Sequence, residues 1–130
     1  MNTVKRIERG WAGHFICADR CLFRRNTLLE CGNVRIVVST VGMMYDLRGK
    51  ADTIGHNRNF ETMAFHACFG GRYWDADVER EVNFSSPWAI AEWDADDRAN
   101  DMHEAVVVEI IQKLESGETA ITRLENGGDL

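Results

Sequence analysis

Apolar and β-branched residues alternate with polar ones through the front half of the chain, a pattern typical of strands in an antiparallel sheet. Residues 21–30 and 34–44 form two such runs, and turn-forming residues at 31–33 separate them. The two runs therefore predict a β-hairpin. Residues 60–69 predict a further strand, which the glycine pair at 70–71 would end. Shorter strands are predicted over residues 11–17 and 78–84, and an exposed loop over residues 46–59.

Helical periodicity replaces this pattern toward the C-terminus. Apolar residues at three- and four-residue spacing predict a helix over residues 101–114, with Asn100 as its N-cap. A shorter helix is predicted over residues 88–93, because two serines and a proline stand just before it. Residues 117–130 are predicted to form a flexible tail. The fold class is therefore α+β in one domain, with an antiparallel sheet in the N-terminal two thirds packed by C-terminal α-helices.

The charge of the chain is unevenly distributed. The 130 residues carry a net charge of -6, which argues against a general DNA-binding protein. Residues 1–50 hold nine Lys and Arg against four Asp and Glu, a net of +5, and the remainder is therefore at -11. The basic front half is suited to an anionic ligand, whereas the acidic remainder is suited to pairing with that front half.

Targeting signals and extended apolar segments are missing from the sequence. No apolar run approaches the ~20 residues that cross a bilayer, and no signal core follows the charged start. We therefore expect a cytoplasmic protein, in a host cell, that has no membrane partner. In a reducing compartment its 4 cysteines are expected to be thiols or metal ligands and not disulfides.

The cysteines and one histidine raise the question of a metal site. His14, Cys17, Cys21 and Cys31 have the ligand types of a tetrahedral zinc centre. Their spacing lacks a C-x-x-C knuckle, and free cysteines commonly act as small buried apolar residues. We predict no metal and no cofactor, with a zinc site at these four residues as the alternative. Because nucleophile-elbow and phosphate-loop motifs are also missing, we predict that the protein is not an enzyme.

A set of basic, aromatic and amide residues predicts a site for an anionic nucleotide. Guanidinium groups match phosphate oxygens, aromatic rings stack on bases, and amides or histidines recognise polar edges. An anion could also use the backbone N–H groups at the predicted helix start. The predicted ligand-binding residues are Arg24, Arg25 and Arg58 for phosphates, Tyr73 and Trp74 for stacking, and Asn57, Asn100 and His103 for polar edges.

The adjacent residues Arg24 and Arg25 constrain this prediction. On a strand they point to opposite faces, so at least one faces a buried side, where an unpaired cation is costly. Each needs a phosphate, a carboxylate from the acidic part of the chain, or a neighbouring subunit. Internal pairing is therefore an alternative to ligand binding, and a homo-oligomer assembled through complementary halves is expected.

Four stretches of the sequence carry a resemblance to known proteins. RGWAGHFIC at 9–17, LFRRNTLL at 22–29, ETMAF at 61–65 and NDMHEAV at 100–106 resemble small proteins encoded by phages and gut metagenomes. The nearest functional family is that of the anti-Thoeris sponges. The resemblance implies an N-terminal sheet, C-terminal helices, oligomerisation, and sequestration of cyclic ADP-ribose-like signals or cyclic oligonucleotides.

These observations lead to one functional hypothesis and two alternatives. The first is a non-enzymatic, phage-type anti-defence protein that binds and sequesters a nucleotide-derived signalling molecule. The second is an acidic-surfaced inhibitor that binds a host defence protein. The third is a small zinc-binding protein or enzyme that uses His14 and the nearby cysteines.

Overall fold

A computed structural model describes residues 2–14, 21–45, 51–52, 58–118 and 121. It contains an antiparallel sheet followed by one helix, which confirms the α+β prediction. The strands pair in the order β1-β2-β3-β5-β6, with β4 added to β3 and β7 added to β5. The elements are β1 (Lys5–Arg9), β2 (Cys21–Cys31), β3 (Val34–Tyr45), β4 (Ala51–Asp52), β5 (Phe60–Phe69), β6 (Trp74–Val82), β7 (Ala89–Ile90) and α1 (Asp96–Ser116).

The predicted hairpin is confirmed as β2 and β3, and β5 has the predicted bounds. Gly32 has a φ of 59°, the left-handed conformation that glycine adopts most readily in a tight turn. The strand predicted over residues 11–17 is wrong for 11–14, which lie outside any strand, and residues 15–17 fall outside the described ranges. β1, which the pattern did not predict, precedes it. β6 covers Trp74–Val82, so the strand predicted over residues 78–84 is confirmed for 78–82, and the structure places both of its ends earlier in the chain.

The helix is longer than predicted at its N-terminus. It begins at Asp96, with Ala95 as an N-cap that makes no side-chain hydrogen bond, so Asn100 lies inside the helix. Two aspartates in its first turn interact favourably with the helix dipole. The second predicted helix, over residues 88–93, is wrong because β7 occupies that segment. The predicted tail also fails at Ile121, which is 2% exposed and packs in the core.

The two faces of the sheet have different surroundings. One face packs its apolar residues against α1, including Ile36, Val38 and Ala64. The opposite face bears a smaller apolar cluster with polar residues next to it. Across that face Arg9 of β1 donates a hydrogen bond to the backbone oxygen of Trp74 on β6. The sheet therefore curls, so that its outer strands approach each other on the side away from α1.

Candidate functional site

A buried polar cluster lies on the sheet face opposite α1. Side chains alternate between the faces of a strand, so Ser39 on β3 and Glu61 on β5 both lie on this face. The chain after β1 crosses them and places His14 between the two. His14 Nδ1 is 2.7 Å from Ser39 Oγ, and His14 Nε2 is 3.2 Å from Glu61 Oε2. All three side chains are buried.

The hydrogen positions in this cluster follow from its donors and acceptors. The hydrogen bond from His14 and the charge of Arg58 lower the pKa of Glu61, which is therefore an anion that only accepts. His14 Nε2–H donates to Glu61, and a second hydrogen bond joins His14 Nδ1 to the Ser39 hydroxyl. Ser39 Oγ in turn accepts the backbone N–H of Gly13 at 3.0 Å. The cluster thus fastens residues 13–14 to the sheet.

The Ser39–His14–Glu61 order is also that of a serine-hydrolase relay. Ser39 is completely buried, however, and an added Cβ on Gly13 would lie 2.9 Å from its hydroxyl oxygen. His14 belongs to the same segment that covers the serine. A substrate carbonyl therefore cannot reach Ser39 while His14 is in place, and this arrangement is not suited to acyl transfer.

Next to this relay, Asn26 has an unmet donor. Its Oδ1 accepts two hydrogen bonds from Arg9, at 3.0 Å from Nε and 2.8 Å from Nη2. These bonds fix the orientation of the amide, so Nδ2 is the donor nitrogen. Asn26 is fully buried, and Nδ2 finds no acceptor among the described residues. Buried donors are nearly always paired, so this atom marks a place for an acceptor.

Glu61 also connects the cluster to a groove at the edge of the sheet. The groove has a volume of about 300 Å³ and is lined by residues of β5, β6 and the segment before β7. Arg58 lies beside two of its walls: its Nε is 3.5 Å from Glu61 Oε1, and its guanidinium is 5.3 Å from the ring centre of Trp88. The same Nε is buried and has no hydrogen-bond acceptor in the described part of the chain.

Arg24 lies in the same row of residues as Glu61. Arg24 pairs in register with Val41, and Val41 pairs with Glu61, so all three share the face opposite α1. Two strand spacings place Arg24 about 10 Å from Glu61 at the backbone. Arg24 is exposed and forms no ion pair with a residue that the structure describes. The sheet therefore brings two of the three predicted phosphate arginines to one end of the face.

The third arginine, Arg25, is neutralised within the fold. It points to the α1 side and forms ion pairs with Glu8 at 3.1 Å and with Glu104 at 2.9 Å. Glu104 belongs to the acidic part of the chain, so Arg25 follows the internal-pairing alternative. Its charge consequently requires neither a ligand nor a neighbouring subunit.

His103 is fully buried between α1 and the sheet and faces no solvent. It contacts Thr27 Oγ1 through Nε2 and Thr40 Oγ1 through Nδ1, both at 2.7 Å. The Thr27 hydroxyl donates to the Glu8 carboxylate at 2.9 Å, so it can only accept from Nε2–H. Nδ1 then accepts from Thr40, whose oxygen accepts from Thr62. His103 therefore joins the helix to three strands and has no surface exposed to a ligand in this conformation.

The remaining predicted ligand residues are dispersed. Tyr73 and Trp74 lie at the end of β5 opposite Glu61, roughly 26 Å along the strand. The guanidinium of Arg35 covers the ring of Trp74 at 4.3 Å. Asn100 is exposed within α1 and is not at its start. Asn57 lies outside the described residues. One small ligand cannot reach all the predicted residues at once.

The alternative zinc site is not assembled. Cys21 and Cys31 are the first and last residues of β2, which separates them by about 33 Å. His14 is engaged by Ser39 and Glu61, and Cys17 lies outside the described residues. Within the described ranges, no three His, Cys, Asp or Glu side chains are grouped for a metal ion.

Three residues of this site are not predicted from the sequence: Ser39, Glu61 and Trp88. Ser39 and Glu61 stand in strand runs where a polar residue is ordinary, and their pairing depends on the register of β3 with β5. Trp88 was assigned to a helix. One feature of the sequence could have indicated Ser39 and Glu61: both are polar residues at buried positions of strands that are otherwise apolar.

No protein-family profile, curated protein or solved structure matches this chain. Among the described residues, no helix has both the length and the apolar character needed to span a bilayer. The fold and the site together define a small α+β protein with a polar cluster and an adjoining groove on one face of a curled sheet.

Proposed function

We propose that this protein binds and sequesters an anionic, nucleotide-derived molecule without converting it chemically. The phosphate would lie between Arg24 and Arg58, at the end of the sheet face where Glu61 lies. The proposal keeps the sponge-like function that the sequence predicted and reduces its site to the arginines gathered there. Arg25, His103 and Trp74 serve the fold in this proposal.

The surroundings of the Arg58 guanidinium give the main support for this proposal. The Glu61 carboxylate and the Trp88 ring hold its guanidinium beside the groove, and the buried Nε, 3.5 Å from Glu61 Oε1, makes no hydrogen bond to the described residues. Charged oxygens are the strongest acceptors for a guanidinium. The Arg58 side chain is 29% exposed, so a phosphate would accept hydrogen bonds from its terminal N–H groups, and exposed Arg24 would add a second positive charge.

The buried relay supports binding over catalysis. Ser39 is the hydroxyl of the cluster, and Gly13 lies directly over it. The relay therefore holds residues 13–14 closed over the sheet. Sequestration requires only a preformed site that encloses its ligand, which agrees with this arrangement.

Replacing either arginine is expected to weaken ligand binding at least tenfold. A charge-assisted hydrogen bond contributes about 1.5–3 kcal/mol, and 1.4 kcal/mol corresponds to one factor of ten in Kd. Arg24→Ala and Arg58→Ala would be compared with the wild type by isothermal titration against cyclic ADP-ribose and a panel of cyclic mono- and dinucleotides. Because Arg24 is exposed, its variant should keep the wild-type Tm.

Arg72→Ala is the matched control. Arg72 is an equally exposed arginine at the turn between β5 and β6, distant from Arg24 and Arg58, and no described side chain pairs with it. It should bind like the wild type. Equal losses in all three variants would point to general charge attraction, and no heat with any member of the panel would exclude the proposed function.

A further inference from the structure

Hydrogen bonds hold the outer wall of the groove. Its outer wall is the segment of residues 83–88, which is attached to both of its neighbours. The backbone oxygen of Trp88 accepts the N–H of Thr62 on β5 at 2.8 Å. On the other side the Glu109 carboxylate of α1 accepts the N–H groups of Ser85 and Ser86, at 2.7 and 2.9 Å. Hydrogen bonds from β5 and from α1 therefore hold this wall in place.

Its lining is suited to a flat ring with hydrogen-bond donors. Trp88 is 47% exposed and carries the Arg58 guanidinium over its ring at 5.3 Å, so a base would stack on the part of the ring that Arg58 leaves open. Met63, Val82 and Phe84 add apolar contacts. The lining contains two carboxylates, of which Glu61 is already occupied by His14 and Arg58. The carboxylate of Glu81 is exposed and accepts no hydrogen bond from the described side chains. Glu81 is thus a free acceptor beside an aromatic wall.

The size and neighbours of the groove limit the ligand further. A volume of about 300 Å³ is at the small end for ligand pockets and holds a nucleobase without its phosphates. The phosphates would lie outside, where Arg58 stands 5.3 Å from the Trp88 ring. An aromatic surface with an adjacent guanidinium matches the neighbouring base and phosphate of one nucleotide.

We infer that the groove is a guanine subsite, an inference that rests on the proposed function. The ring stacks on Trp88, and the two oxygens of Glu81 accept the adjacent N1–H and N2–H donors of guanine. A carboxylate and two parallel N–H donors form a charge-assisted bidentate pair. Hypoxanthine lacks the 2-amino donor, while adenine and uracil lack the adjacent pair of donors, so each forms fewer bonds with Glu81.

The test compares cyclic GMP with cyclic IMP, cyclic AMP and cyclic UMP by isothermal titration. The wild type should bind cyclic GMP about tenfold more tightly than cyclic IMP. Glu81→Gln removes the negative charge and exchanges one acceptor for a donor, so it should weaken cyclic GMP more than cyclic IMP and bring their affinities to about the same value. Since Glu81 is exposed, the fold should be unaffected.

Trp88 provides the second variant and its control. Trp88→Ala should weaken all four nucleotides, Trp88→Phe should retain most of the affinity, and Trp93→Ala, at another exposed tryptophan, should change nothing. Equal affinity for cyclic GMP and cyclic IMP, with no effect of Glu81→Gln, would overturn the guanine subsite while arginine-dependent binding stands. Failure of every nucleotide, including the wider panel above, would overturn the proposed function itself.

Discussion

Acidification from pH 7 to pH 4 is expected to remove about 3 kcal/mol from the free energy of unfolding through His103 alone. Burial between α1 and the sheet, reinforced by the charge of Arg25, lowers the pKa of His103 from 6.5 to about 4. A difference of one in pKa between the folded and the unfolded chain corresponds to about 1.36 kcal/mol in the free energy of unfolding. Protonation would also place a second donor at Nδ1, which now accepts the hydrogen of the Thr40 hydroxyl.

The direction of the effect follows from where the proton binds first. Between pH 6.5 and pH 4 the unfolded chain takes up a proton at His103 and the folded chain does not, so stability falls as the pH falls. Carboxylates act in a lower window. The hydrogen bond from Arg6 lowers the pKa of Glu104 to about 2, so its contribution is lost only below about pH 4.5.

His103→Leu separates this effect from the rest of the molecule. At pH 7 the variant should be less stable than the wild type by about 1–2 kcal/mol, since Thr27 and Thr40 lose a partner. Its stability should then decline much less between pH 6.5 and pH 4. The free energies of unfolding from urea denaturation, plotted against pH, should therefore cross between about pH 6 and pH 5, with the variant the more stable protein at pH 4. A wild-type slope in the variant would show that the acid sensitivity arises elsewhere.

Val107→Ala is the control for a general loss of stability. Val107 is completely buried in the same face of α1 and does not titrate. The variant should lose about 2 kcal/mol at every pH by creating a cavity. It should therefore keep the wild-type pH dependence, with a curve parallel to that of the wild type.

The sequence predicted the parts of the fold that rest on local pattern. Strands β2, β3 and β5 are regular runs of apolar and β-branched residues, and their hydrophobic faces fix the register. The helix also followed from its apolar stripe, though not its start, because Ala95 offers no capping side chain. The segment at Trp88 was predicted wrongly: its serines hydrogen-bond to Glu109 on α1 instead of starting a helix.

The site was only partly predictable, because residue type does not reveal the partner of a charged group. Arg24 and Arg25 are neighbours of equal chemistry, yet strand alternation turns Arg25 toward Glu8 and Glu104 and leaves Arg24 exposed. His103 has polar neighbours in sequence but is buried among threonines from three strands. Such distinctions depend on which strands are adjacent, which no local pattern contains.

Gly42→Ala is expected to destabilise the fold by about 3 kcal/mol, because Gly42 makes room for a contact between strands on either side of it. Phe23 on β2 and Phe60 on β5 are both register partners of Gly42. Their rings meet above it, edge to face, with centres 5.3 Å apart. A methyl group at Gly42 would overlap the Phe60 ring and lie 2.5 Å from the backbone oxygen of Asn59.

A compensating variant at Phe60 and a control variant at Gly10 make this prediction specific. Adding Phe60→Leu to Gly42→Ala should cost less than the sum of the two single changes, since the smaller side chain relieves the overlap. Gly10→Ala should change stability by less than about 0.5 kcal/mol, because nothing lies within 4 Å of its added carbon. Additive losses in the double variant, or a Gly42→Ala protein as stable as Gly10→Ala, would contradict close packing of the two rings over β3. Chemical denaturation of the four variants and the wild type distinguishes these outcomes. We expect the changes at Gly42 and Phe60 to be coupled, because the register of β2, β3 and β5 places Phe23, Gly42 and Phe60 in one row.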